Sequence, residues 1–151
     1  MTETPLVLCG LDAIDLDEFV ECLAFGGERF LRRIYTDAER RHCSDRVETL
    51  AGRFAAKEAI AKALGSGIRG ILWTDLEVLS DPSGNPILIL HGPALDAARA
   101  LFVHDIALCI TQSRTRAVAT VIMLGTAPAQ IGAVRFSGLE FDDHRTAGRQ
   151  E

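Results

Sequence analysis

The stretch Leu50–Gly65, LAGRFAAKEAIAKALG, decides how the rest of the chain is read. It is filled by alanine, leucine, lysine and glutamate, all good helix formers, and it closes on a glycine, the residue most often found just past a helix end. On a helix, Ala51, Ala55, Glu58 and Lys62 fall near one stripe, because they are separated by steps of three or four residues. Small residues let a ligand or a neighbouring backbone come close, and Glu58 beside Lys62 places an anion and a cation within reach of one bound group. The same pair is also what any solvated helix face carries, worth about 0.3–0.5 kcal/mol. Spacing alone leaves both readings open.

Upstream, Ser44 is a candidate cap for this helix, and Thr36-Asp37-Ala38-Glu39 fits a capping box that opens a short helix before it. From Ile14 to Phe25, Leu16, Phe19, Val20 and Leu23 repeat at helical spacing, while Asp15, Asp17, Glu18 and Glu21 make the other face acidic. Gly26-Gly27 interrupts the pattern, and Glu28 to Ile34 resumes it with Arg29, Arg32 and Arg33. Leu6 to Leu11 is a short apolar run that reads as a buried strand, with Asp12 opening the helix or capping it.

Downstream, the period changes. Leu76–Leu79 and Pro86–Leu90 read as a hairpin joined by Ser80 to Asn85, and Ile106–Ile110 with Ala117–Leu124 as a second one. Pro93 fits the first turn of a helix that runs to about Phe102. Strands and helices are segregated, which favours an α+β domain: an antiparallel sheet with helices packed on one side. The domain is expected over residues 1–124, followed by a loosely held tail over 125–151.

Length and charge narrow the function. A chain of 151 residues can bury one proper core. A net charge of −5 argues against a general binder of nucleic acid or of acidic membranes, so any polyanion must meet a local basic patch. Cys9, Cys22, Cys43 and Cys109 are far apart, without paired spacing for zinc or a disulfide framework, and read as reduced, mostly buried thiols. The amino terminus shows neither an export signal nor a membrane-spanning run, so the cytoplasm is the expected compartment.

Two motifs carry a family resemblance. Gly10-Leu11-Asp12-Ala13-Ile14-Asp15 matches a strand-to-helix G-x-D-x-x-(E/D) signature, and Arg53-Phe54-Ala55-Ala56-Lys57-Glu58-Ala59-Ile60-Ala61-Lys62-Ala63 matches an R-(F/W)-A-A-K-E-A-x-x-K-A helix almost letter for letter. Both belong to the holo-(acyl-carrier-protein) synthase family, the small type of 4′-phosphopantetheinyl transferase. The resemblance runs from about Leu8 to Leu124, with Trp73 to Val78 and Gly84-Asn85-Pro86 in the family's order.

It implies magnesium-dependent transfer of 4′-phosphopantetheine from coenzyme A to a serine of an apo acyl or peptidyl carrier protein, in fatty acid or polyketide synthesis, by a homotrimer with its site between subunits. It makes Asp12 and Glu58 the magnesium ligands and Asp12, Glu58 and Lys62 the catalytic set, with Arg53, Lys57, Lys62 and Gln112 as contacts to coenzyme A.

The chain departs from the family pattern in two places. Where relatives carry H-V-S-(I/L)-(S/T)-H, it has Ala107-Leu108-Cys109-Ile110-Thr111-Gln112, and His104 lies outside the aligned place. Gln112 keeps the hydrogen bonding of a histidine but cannot take a proton near neutral pH. The first helix, basic in relatives that dock an acidic carrier, opens acidic here, leaving Arg29, Arg32 and Arg33 as the basic cluster. These departures leave two alternatives beside the transferase: a relative that binds coenzyme A with weak or lost transfer, and a non-enzymatic interaction module.

Overall fold

Leu50–Leu64 falls in α3 (Val47–Leu64), with Gly65 as its cap, and the alanines of this helix let a sheet come close to its backbone. The structure is a computed structural model that describes residues 4–65 and 70–127. The other elements are β1 (Thr4–Asp15), α1 (Leu16–Ile34), α2 (Asp37–Cys43), β2 (Leu76–Ser80), β3 (Pro86–Leu90), α4 (Gly92–Ala100), β4 (Asp105–Gln112) and β5 (Arg116–Ala127). Trp73–Asp75 forms one 3-10 turn ahead of β2. All strand pairings are antiparallel: β1, β5 and β4 form one sheet in that order, and β2 with β3 forms a hairpin, so the fold is α+β as expected.

Strand register sets which side chains can reach α3. Asp12 pairs with Ala119, which pairs with Ile110; two positions along, Ile14 pairs with Ala117, which pairs with Gln112. Residues two apart share a face, so these rows lie on the side where Ala117, Ala119, Val121 and Met123 are buried beneath α3. The alternate positions Val7, Leu11, Ile122 and Leu124 are exposed on the opposite face. Gly10 is where β1 comes closest to the helix: a Cβ there would fall on the Ala59 carbonyl oxygen. Only the absence of a side chain permits that approach.

Two clusters hold α1 and α2 to this frame. Phe19, Phe30, Phe54 and Trp73 stack edge-on or tilted, with ring centroids 5.6–6.1 Å apart. Beside them lies a fully buried ion pair. Lys57 Nζ donates to Glu39 Oε2, to the Ile34 carbonyl and to the Trp73 carbonyl, each at 2.8 Å. Glu39 in turn accepts from the backbone N–H groups of Thr36 and Val78. The three ammonium hydrogens have three acceptors, which is how a buried charge is tolerated.

Several local expectations are corrected. Asp12 neither starts nor caps a helix, because β1 stays paired with β5 as far as Asp15 opposite Arg116; Asp15 is the cap, accepting from the N–H groups of Asp17 and Glu18. The Gly26-Gly27 interruption is a kink within α1, where Gly27 takes φ 52°. The capping box at Thr36 and Glu39 forms as read.

Ser44 closes α2 in the left-handed region instead of opening α3, whose cap position is Arg46 with no side-chain bond. Of the cysteines only Cys43 is buried; Cys9, Cys22 and Cys109 are exposed. β5 continues to Ala127, past the expected boundary at 124, and the remainder of the expected tail, 128–151, lies outside the described residues.

Candidate active site

Asp12, Glu58 and Lys62 meet at the edge of the seam between β1 and α3. Lys62 Nζ donates to Asp12 Oδ1 at 2.5 Å and to the Leu11 carbonyl at 3.2 Å. Glu58, one turn earlier on the same helix, is half-buried. Its pKa is raised by burial and then by the neighbouring Asp12 charge, with Lys62 opposing. Lys62 is raised in turn, chiefly by its hydrogen bond to Asp12. Two carboxylates facing one ammonium leave an excess of negative charge, which Glu58 registers as resistance to ionising.

The donor set fits a hard divalent cation that keeps several waters and shares a phosphate-bearing ligand, since such an ion takes only one or two protein carboxylates. It does not form an all-protein cage: among the described residues no group of three or more His, Cys, Asp or Glu side chains is placed to hold a metal.

The expected contacts to coenzyme A divide. Lys62 is at this site. Lys57 is not: it is sealed in the core with every donor used, and burial lowers its pKa against the opposing pull of Glu39. Its place in the motif serves the fold, which corrects the expectation that it reaches phosphate. Arg53 and Gln112 lie together elsewhere, lining a pocket of about 550 Å³ with His42, Arg46, Ser80 and Asp81 among its walls. Arg53 is 5% exposed, donates from Nη2 to the Ser80 hydroxyl at 2.6 Å, and keeps a buried Nε without a partner. Asp81 is engaged by its own loop, accepting from Ser83 and Asn85.

The lining is therefore cationic overall and suits an anion. Arg46 was not singled out from sequence. Its spacing to Thr49 and Arg53, three then four residues, is the signal that places all three on one helix face.

Residues 8–121 match the model of the 4′-phosphopantetheinyl transferase superfamily. The chain belongs to that family. A holo-[acyl-carrier-protein] synthase of Solidesulfovibrio magneticus is 47% identical over 118 residues, 77% of this chain and 96% of that protein. One from Herpetosiphon aurantiacus is 38% identical over 127 residues, 80% of this chain and all of that protein. A solved ACPS–CoA complex from Chronobacterium ammoniagenes superposes with a TM-score of 0.70 at 31% identity, covering 82% of this chain and 99% of that one. The transferase superfamily thus accounts for the fold and for both sequence motifs. No helix of the described residues is long and apolar enough to cross a membrane.

Proposed function

We propose that Asp12, Glu58 and Lys62 are the site at which this chain performs its family's reaction, transfer of 4′-phosphopantetheine from coenzyme A to a serine of an apo acyl or peptidyl carrier protein. The carrying observation is the meeting of a strand carboxylate with a helical Glu and Lys, from two motifs 46 residues apart in Asp12 and Glu58. In this reading the carrier serine oxygen bonds to the phosphorus next to pantetheine, the diphosphate P–O bond breaks, the hydroxyl proton is released, and adenosine 3′,5′-bisphosphate departs.

Lys62 neutralises phosphate charge as a flexible cation. Asp12 and Glu58 would hold magnesium, which supplies charge neutralisation on the diphosphate when bound. Arg53 and Gln112, with Arg46, line the pocket that takes a second anionic part of coenzyme A.

The chain is proposed to work as a homotrimer with coenzyme A between neighbours. Support comes from the outer face of the three-stranded sheet, where Val7 is 65% and Leu11 60% exposed beside Ile122 and Leu124, an apolar surface that no helix of the chain covers among the described residues. Partner choice on the carrier side is read from α1. Arg32 is held by Glu28, which also takes Arg40, so Arg29 and Arg33 are the better placed to meet acidic groups of a carrier.

The test is to incubate the chain with coenzyme A, magnesium and several apo carrier proteins, and to weigh the carriers. A mass gain of one phosphopantetheine on at least one carrier, absent with Glu58→Ala, is expected; no gain on any carrier, or full gain with the variant, defeats the proposal. Light scattering of a stable, active monomer would defeat the trimer.

A further inference from the structure

We propose that Gly52 is a positioning residue for coenzyme A: by lacking a side chain, it lets the Gln112 amide lie against α3 at the wall of the Arg53 pocket. This rests on the reading that the pocket takes an anionic part of coenzyme A.

Gly52 is buried in the second turn of a helix that otherwise uses alanine wherever space is short, at 51, 55, 56, 59, 61 and 63. Glycine is a poorer helix former than alanine, so a glycine here calls for a reason. Backbone conformation is not the reason, because the glycines with positive φ are elsewhere. Space is the reason: a Cβ on Gly52 would collide with Gln112 Nε2, and would stand 3.1 Å from Ile110 Cγ2 and 3.4 Å from Gln112 Cδ.

The colliding atom is the free end of a flexible side chain, so a methyl group can be accommodated by swinging the amide away, with a few tenths of an ångström of give from Ile110. The helix survives and the amide is misplaced. Fold and binding are thereby separable at a single atom, with Ile110, Gln112 and Arg53 all lining the same pocket.

The experiment compares the wild-type chain, Gly52→Ala, Gln112→Ala and the double variant, measuring the coenzyme A dissociation constant by calorimetry, the transfer rate at saturating coenzyme A, and the melting temperature. Gly52→Ala and Gln112→Ala should each weaken coenzyme A binding by about 3- to 10-fold, the scale of one lost hydrogen bond, while the saturated rate stays put. The double variant should bind no worse than Gln112→Ala alone, because the methyl group then displaces nothing. Gly52→Ala should melt no lower than the wild type.

If Gln112→Ala leaves coenzyme A binding unchanged, the reading of the pocket is wrong and the inference goes with it. If Gln112→Ala weakens binding while Gly52→Ala does not, or adds its effect in full, the inference alone is overturned. A Gly52→Ala chain that melts far lower in both backgrounds would show that Gly52 serves the packing of Ile110, which also overturns it.

Discussion

Lys57 and Lys62 stand on the same helix, five residues apart, each bonded to a carboxylate, and they do opposite work. Lys57 and Glu39 are both fully buried and held by backbone groups from the end of α1, from Thr36 at the cap of α2, from the Trp73 turn and from β2. Lys62 is 53% exposed on its side chain, and the charge of its partner Asp12 adds to burial in raising the pKa of Glu58. A closed ion pair fixes geometry because all three ammonium hydrogens and both carboxylate oxygens are engaged, whereas an open one with surplus negative charge is ready to exchange partners. One motif, Lys57-Glu58 to Lys62, thus supplies a structural rivet and an open, charge-rich edge.

The sharpest way to break this contrast is to remove one member of the closed pair. Lys57→Met leaves the Glu39 charge buried and unpaired and is expected to cost about 3–5 kcal/mol of folding free energy, read by urea unfolding. A loss near zero would show that Lys57 is not the rivet.

At the open pair the signs reverse. Glu58→Gln is expected to lower transfer by about 10²- to 10³-fold, the scale of losing a charge aimed at the reacting groups. The melting temperature should hold or rise slightly, since the fold disfavours the ionised form of Glu58. A variant that melts markedly lower with transfer intact would place Glu58 with the rivet.

The third test asks whether chemistry is confined to the Lys62 end. Gln112 lies over Gly52, ten residues and about 15 Å of helix from Lys62 in the same chain. With Gln112 proposed only to bind coenzyme A, Gln112→His is expected to leave single-turnover rates and their pH profile unchanged at saturating coenzyme A. A gain of about 10²-fold or more would mean that a general base had been restored.

The smallest effect is at the surface. Arg40 and Arg32 hold the Glu28 carboxyl at about 2, below its ordinary 4.5. A depressed carboxyl adds stability that is present above pH 4.5 and is lost as pH falls towards 2. Glu28→Gln should flatten the melting temperature only within that acid window; a flat wild-type profile would show that solvent screening removes the pair's contribution.

How far the sequence reveals these two regions depends on the range of each interaction. The capping box at Thr36 and Glu39 is local and legible, yet the same Glu39 carboxylate also receives Lys57 and the Val78 N–H, 18 and 39 residues away, and no spacing rule points there. Periodicity likewise fails on α3, because Leu50, Ala51, Gly52, Arg53, Ala55, Ala56 and Lys57 are all buried and the helix has scarcely an outer face to contrast with an inner one. Asp12 lies in a strand because β5 pairs along the whole of β1, a contact across more than a hundred residues. The Asp12, Glu58 and Lys62 set was legible through motif resemblance, while Arg46 was hidden among other surface arginines until α3 was folded.

The cysteines also make the chain its own ruler for subunit contact. Cys9 and Cys109 sit on the open sheet face, Cys22 on the exposed side of α1, and Cys43 in the core. A brief pulse of a maleimide, followed by intact mass, therefore counts states by label number: Cys22 takes label whenever the chain is folded, Cys9 and Cys109 only when their sheet face is uncovered, and Cys43 only once the core opens. If the proposed trimer covers that sheet face, its dilution should step the adduct count upwards before any unfolding begins, so the thiols would report separation of copies and loss of fold as two distinct events.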